Sequence, residues 1–130
     1  MTLFVDSSGI LALVDRDDPA HGGIVEAFSR GRTEALSTHA YVIVETLAVA
    51  RRRYGPAVTA DLMDRVIPAL EVTPVDAELH AAAVTAFRET VESSVSLVDR
   101  TSFAFMRREG IERAIALDAD FRTAGFETLP

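Results

Sequence analysis

The sequence predicts an α/β domain in which a mostly parallel sheet carries helices on both faces. Short apolar segments alternate with segments of helical period from one end of the chain to the other. This alternation is typical of strand–helix–strand units, whose strands run parallel. The length of 130 residues suits one hydrophobic core, and no repeat, low-complexity segment or linker divides it. We therefore expect residues 1–130 to form a single domain.

The first half of the chain predicts two strands and the helices that follow them. Leu3-Phe4-Val5 is a short apolar strand, and residues 10–14 continue as a helix. Asp18 suits the N-cap and Pro19 the first position of a second helix, which runs to about Arg30. The next elements are a strand over 34–37, a helix over 39–53 capped by Thr38, and a helix restarted by Gly55-Pro56.

The second half continues the same alternation. Residues 70–75 predict a strand, and Asp76 suits the N-cap of a long helix over 77–91. After a serine-rich loop, Ser96 and Asp99 have the spacing of a capping box for a helix over 97–108. The last elements are a strand over 114–117, a helical turn over 120–123 and a weak strand over 126–129.

Composition excludes several kinds of chemistry. The chain has no Cys, which rules out disulfides and thiol catalysis, and all 13 basic residues are Arg, which rules out a catalytic Lys. A net charge of −7 argues against nucleic-acid binding through bulk charge, although a bound divalent cation inverts the electrostatics near it. With no apolar run that could span a bilayer and no signal-peptide pattern, we expect a cytoplasmic protein without a membrane segment.

Four acidic residues lie where a solvated charge is not the simplest interpretation: Asp6, Glu45, Asp99 and Asp118. Asp6 and Asp118 each follow a predicted buried strand, and Asp6 alone is equally well explained as a helix N-cap. Asp120 comes two residues after Asp118, which is favoured only because it is nearer the strand.

Glu45 and Asp99 each have a structural alternative. Glu45 shares a helical stripe with Val42 and Val49, where an unpaired Glu is unusual, but it could pair with one of the arginines at 51–53. We interpret that arginine run itself as a solvated helix end. Asp99 is accounted for by the capping box alone. The three histidines, His21, His39 and His80, lack the spacing of metal ligands and are expected at the surface.

The joint pattern of the acids is more informative than any one of them. Because the carboxyl ends of parallel strands meet at one edge of a sheet, adjacent strands would bring Asp6 and Asp118 together there, with helix starts adding Asp99 and Glu45. Ionised carboxylates so close repel one another, so the cluster implies bound cations, and all-oxygen ligation selects Mg²⁺ or Mn²⁺. Such ions match in-line phosphodiester hydrolysis. Asp6 is then the central ligand, and capping passes to Ser7 or Ser8.

Four segments together resemble the PIN-domain nucleases, in particular the ribonuclease toxins of VapBC-type toxin–antitoxin pairs. The segments are Phe4-Val5-Asp6-Ser7-Ser8, Thr38 to Glu45, Ser96-Leu97-Val98-Asp99 and Ala116 to Phe121. The resemblance covers nearly all 130 residues. One departure is Ala116, where the family often has Thr or Ser two residues before its last acid.

The resemblance implies a PIN-like three-layer α/β/α domain whose five parallel strands have the order 3-2-1-4-5. It implies metal-dependent cleavage of RNA, a cognate VapB-type antitoxin and a homodimer. Carried over by position, the metal-binding and catalytic acids are Asp6, Glu45, Asp99 and Asp118, with Ser8 and Asp120 in support. It does not indicate which RNA is cut or which antitoxin binds.

Three other functions fit the sequence less well. A haloacid-dehalogenase-type phosphatase, which is Mg²⁺-dependent, requires Asp-x-Asp and a Lys, but Ser8 stands two residues after Asp6 and Lys is absent. A phosphoreceiver domain also requires a Lys. A catalytically inactive PIN-like binding module is disfavoured only because all four acids are present.

Overall fold

A computed structural model describes residues 1–130 as five strands and seven α-helices. The strands are Thr2–Val5 (β1), Ala35–His39 (β2), Glu71–Thr73 (β3), Arg113–Ile115 (β4) and Glu127–Leu129 (β5). The helices are Ser7–Val14 (α1), His21–Ser29 (α2), Ala40–Tyr54 (α3), Pro56–Asp61 (α4), Ala77–Glu89 (α5), Leu97–Glu109 (α6) and Asp120–Thr123 (α7). Short 3-10 and π-helical turns follow α2 and α4.

All five strands are parallel and lie in the order β3-β2-β1-β4-β5, with helices on both faces of the sheet. The predicted α/β/α architecture and strand order are therefore confirmed. Because every strand runs the same way, the carboxyl ends of β1, β2 and β4 lie side by side. None of the helices is both long and apolar enough to cross a membrane.

The central strand β1 is buried on both faces. Leu3, Phe4 and Val5 are each 0% exposed, as expected for a strand covered by helices on either side. The Phe4 ring stacks near Phe121 and lies 5.9 Å, centroid to centroid, from Phe105. Since Phe105 belongs to α6 and Phe121 to α7, this one side chain joins β1 to both helices that flank the last predicted acids.

Two of the predicted helix caps are confirmed, but two other helices begin later than expected. Asp76 accepts the Leu79 N–H and Ser96 accepts the Asp99 N–H, which caps α5 and α6. Asp18 instead accepts the Ala20 N–H within a turn, so α2 begins at His21. Thr38 does not cap α3, because β2 extends to His39 and keeps Thr38 buried within the strand.

Gly9 allows α1 to lie directly against β4. A Cβ at this position would meet the Ile115 carbonyl oxygen at 2.9 Å and the Ile115 Cγ2 at 3.0 Å. Main-chain atoms in the middle of a sheet cannot move away without disturbing the strand pairing. The start of α1 can therefore approach the end of β4 only because residue 9 has no side chain.

We expect Gly9→Ala to lower the free energy of unfolding by about 1–3 kcal/mol, the usual cost of overpacking a core. The matched control is Gly22→Ala on α2, where an added Cβ meets nothing within 4 Å. There the better helix propensity of Ala should leave stability unchanged or raise it by up to about 1 kcal/mol. Urea unfolding of both variants measures the difference, and equal effects would contradict the close-contact argument.

Candidate metal centre

Asp6 lies at the carboxyl end of β1 and has two different oxygen environments. Only 3% of the residue is exposed. Its Oδ2 accepts the Ser8 N–H at 3.2 Å and the Ser8 hydroxyl at 2.7 Å, so Asp6 itself is the N-cap of α1. The expectation that capping passes to Ser7 or Ser8 is wrong. Capping and ligation are compatible, because Oδ1 is buried and has no hydrogen-bond partner.

Ser8 connects Asp6 to the segment that carries Asp118. Its hydroxyl oxygen accepts the Leu117 N–H at 3.0 Å while its hydrogen goes to Asp6. The Asp6 N–H in turn donates to the Ile115 carbonyl at 3.0 Å. These bonds fix the chain beyond β4 against the end of β1, so Ser8 links the two strand ends that carry Asp6 and Asp118.

Three further carboxylates converge beside this strand end. One oxygen from each of Asp99, Asp118 and Asp120 lies within 4.8 Å of the other two, and all three residues are half-buried. Asp118 accepts the Asp120 N–H at 2.9 Å, which holds these two side chains in a tight turn. The choice between Asp118 and Asp120 is thus not exclusive, since the structure brings both to the cluster.

The acids perturb one another's ionisation. The pKa of Asp99 is raised to about 6, first by burial and then by the negative charges of Asp6 and Asp118. Burial also raises the pKa of Asp6, against the lowering effect of its Ser8 hydrogen bonds, and the charge of Glu45 adds to the rise. The pKa of Asp120 is raised by desolvation and by Asp118. This coupling identifies a contiguous negative site.

Glu45 lies outside the three-acid cluster. It is half-buried on α3 and accepts a 2.5 Å hydrogen bond from the Ser7 hydroxyl. Its charge reaches Asp6, but it does not belong to the group formed by Asp99, Asp118 and Asp120. The arginines at 51–53 are exposed and make no ion pair with it, so the alternative pairing of Glu45 is not observed.

A groove of about 360 Å³ leads away from the acids between α1 and α3. Ser7, Ser8, Glu45 and Leu117 line it near the acids, and its farther lining includes Arg53 and Tyr54. The Tyr54 hydroxyl donates to Asp15 at 2.9 Å, which fixes the ring in place. Of the candidate acids, Glu45 lines this groove, whereas Asp99, Asp118 and Asp120 do not.

His39 was expected at the surface, and this expectation is wrong. The residue ends β2, is 0% exposed, and contacts Ser102 one turn after Asp99. Because the Ser102 hydroxyl donates to the Val98 carbonyl, its oxygen accepts from His39 Nε2–H at 2.9 Å. His39 Nδ1 is buried without a partner, and burial lowers the pKa of His39 to about 4. The apolar Leu36 three residues earlier is a signal that this segment is an inner strand.

Comparisons with known proteins agree with this geometry. A model of the PIN domain matches residues 3–127. The chain is 35% identical over 125 residues, 95% of each protein, to the 23S rRNA-specific endonuclease VapC20 of Mycobacterium tuberculosis. The chain therefore belongs to the PIN-domain family.

Solved structures share the fold. The crystal structure of Mycobacterium tuberculosis VapC20, described as a sarcin–ricin loop cleaving toxin, superposes with a TM-score of 0.84 at 34% identity, covering 98% of this chain and 99% of that one. VapBC2 of Rickettsia felis gives a TM-score of 0.73 at 10% identity, with both chains fully covered. FitAcB of Neisseria gonorrhoeae gives 0.71 at 13% identity, covering 100% of this chain and 97% of that one. At these lower identities, only the fold is shared.

The residues present suit a hard divalent cation. Every side chain in the cluster offers carboxylate oxygens, and none offers a sulfur or nitrogen ligand. Asp6 Oδ1 is a desolvated acceptor without a donor, which is costly unless a cation satisfies it. Oxygen-only donors favour Mg²⁺ or Mn²⁺ over softer metals.

We expect metal affinity to fall in acid, because a ligand must lose its proton before it binds a cation. With the pKa of Asp99 at about 6, the apparent affinity for Mn²⁺ should be about tenfold lower at pH 5 than at pH 7. Calorimetry in buffers of different ionisation enthalpy should also detect close to one proton released per site at pH 5 and almost none at pH 8. Affinity independent of pH would contradict the assignment of Asp99 as a ligand.

The buried His39 gives the free energy of unfolding a pH dependence of its own. A base whose pKa is lowered by folding binds fewer protons in the native state, so stability is lost as pH falls from 6.5 towards 4. Asp99 acts in the other direction. Because its pKa is raised in the folded state, its contribution to stability grows as the pH falls over the same range.

The variant His39→Gln separates the two effects. It retains an N–H donor for Ser102 but does not titrate, and the Asp99 contribution is common to both proteins. In metal-free buffer, the loss of stability from pH 7 to pH 5 should be smaller in the variant by about 2 kcal/mol. Urea unfolding at the two pH values measures it, and an unchanged pH dependence would show that His39 does not titrate as described.

Proposed function

We propose that this chain is a metal-dependent endoribonuclease that acts as the toxin of a toxin–antitoxin pair. The observation that supports it most directly is the three-carboxylate group of Asp99, Asp118 and Asp120, whose Asp99 also feels the charge of Asp6 at the carboxyl end of β1. Membership of the PIN-domain family and 35% identity to a 23S rRNA-specific endonuclease support the same reaction class.

In this proposal, the metal ligands are Asp6, Asp99 and Asp118, with Glu45 and Asp120 completing the negative shell. Mg²⁺ or Mn²⁺ bound there would supply an activated water and neutralise charge on the phosphate. The chain's own hydroxyls orient the acids: Ser8 holds Asp6 Oδ2 so that Oδ1 faces the ligand, and Ser7 holds Glu45. All of these residues lie within residues 1–130, which we propose act as one catalytic domain.

The proposed substrate is structured RNA, and the first RNA to test is the sarcin–ricin loop of 23S rRNA. Support comes from the relative that is described as cleaving this loop and aligns with 98% of the chain. The groove between α1 and α3, which Glu45 lines, is the proposed path of the RNA strand. A loop-specific enzyme should cut this RNA at one position and leave an unrelated hairpin intact.

The proposed partners are a VapB-type antitoxin and a second copy of the chain. VapBC2 of Rickettsia felis shares the fold over the whole chain, which makes a comparable assembly reasonable. Co-expression with the neighbouring small reading frame should suppress cleavage and give a co-purifying complex. Light scattering on the free chain tests the dimer.

We expect Asp6→Asn to reduce RNA cleavage by at least about 100-fold while leaving the fold intact. Asn is as good an N-cap as Asp, and the substitution removes a buried charge, so metal-free stability should not fall. The matched control is Asp64→Asn, an exposed acid far along the chain from the cluster, which should cleave like the wild type. Mapping of RNA ends with Mn²⁺ present gives the result.

Two results would contradict the proposal. If the wild type neither cleaves RNA nor binds Mn²⁺, the chain is an inactive PIN-like binding module. If Asp6→Asn cleaves as well as the wild type, the carboxylate cluster is not the active centre.

A further inference from the structure

Arg100 is the next residue after Asp99 and lies in the first turn of α6. It is half-buried, and its Nε is shielded from solvent without any hydrogen-bond partner. Its guanidinium makes no side-chain hydrogen bond, and no carboxylate oxygen lies within 4.0 Å of it. The sequence pattern did not single it out, because an Arg beside an Asp on a helix is unremarkable in itself.

This arrangement is unusual among the arginines of the chain. Of the 13, only Arg100 and Arg113 are even half-buried, and Arg113 is paired with Glu34. A partly desolvated guanidinium is normally compensated by an anion, since its unmet donors cost free energy. Arg100 is thus the one partly buried arginine whose counter-ion the folded chain does not provide.

The position of Arg100 indicates which anion would pair with its guanidinium. Arg100 directly follows Asp99 in the first turn of α6, and its positive charge also lowers the pKa of Asp120, yet its guanidinium pairs with none of the acids. An anion bound both by Arg100 and by a metal ion on these acids must bring oxygens that a guanidinium and a hard cation both accept. A phosphodiester has two such non-bridging oxygens, and the planar guanidinium can donate to both.

We propose that Arg100 binds the non-bridging oxygens of the RNA phosphate at the metal centre and stabilises the charge that develops there during cleavage. This inference rests on the proposed function. It assigns Arg100 a role that the carboxylates cannot perform, because they hold cations and repel the phosphate. The exposed arginines at 51–53 have no comparable position, since they end α3 in solvent.

The test compares Arg100→Gln and Arg100→Lys with Arg32→Gln. Arg32 is exposed in the turn before β2, at the edge of the sheet where strands begin, so its substitution changes net charge equally without touching the site. Arg100→Gln should lower kcat/KM for RNA by about 100-fold, the usual effect of removing one donor to a developing oxyanion. Arg100→Lys should restore part of this, and Arg32→Gln should match the wild type.

Two readouts exclude a merely structural role. Mn²⁺ affinity by calorimetry and the free energy of unfolding should not fall in Arg100→Gln, since the residue holds no acid in place and its unmet donors cost free energy. In an Asp6→Asn background, which binds RNA without cutting it, the slope of log affinity against log salt should decrease by about 0.7 when Arg100 is replaced. Arg32→Gln should leave that slope unchanged.

The failures are distinguishable. Wild-type cleavage that Arg100→Gln retains in full would overturn the inference and leave the proposed function standing. Loss of cleavage together with equal loss of Mn²⁺ affinity or stability would also overturn it, because Arg100 would then be a structural counter-ion. A wild-type chain that cleaves no RNA would overturn the proposed function and the inference with it.

Discussion

The desolvation of the Asp6 carboxylate is the constraint on which the site depends. The parallel sheet places this acid at the end of its most buried strand, and the same topology brings Asp99 and Asp118 beside it. Burial and mutual repulsion both oppose ionisation, as the raised pKa values of Asp6 and Asp99 show. This arrangement lowers the stability of the metal-free protein, and a bound cation would restore that stability.

The two carboxylate oxygens of Asp6 have different environments. Oδ2 is occupied by the Ser8 backbone and hydroxyl groups, which begins α1 and ties β1 to the segment after β4. Oδ1 is left without a donor. The helix cap therefore uses one carboxylate oxygen and leaves the other free, and the close approach allowed by Gly9 brings α1 near enough to β4 for this connection.

Much of the architecture could be predicted because local signals and topology agree. The alternating pattern gave the α/β class, and the caps at Asp76 and Ser96 are observed. The order of the strands was implied by the resemblance to the PIN-domain family and is confirmed. Asp99 and Asp118 lie together with Asp120, and Asp99 feels the charge of Asp6, because strand ends and helix starts share one edge of a parallel sheet.

Other features depended on tertiary contacts that no local pattern reveals. His39 was misassigned because its burial comes from Phe4, Phe105 and Ser102, which are distant in sequence. The late start of α2 reflects a turn at Asp18 that competes with helix capping. The sequence does not indicate a role for Arg100, because the lack of a hydrogen-bond partner for its Nε is evident only in the folded chain.

Anomalous diffraction from crystals soaked in Mn²⁺ tests the central claim most directly. The carboxylate account predicts a peak bounded by Asp6, Asp99 and Asp118, at about 2.0–2.2 Å from Asp6 Oδ1, a typical distance for a small hard cation. A map with no peak at the carboxyl ends of β1 and β4, or with peaks only at exposed surface acids, would contradict it.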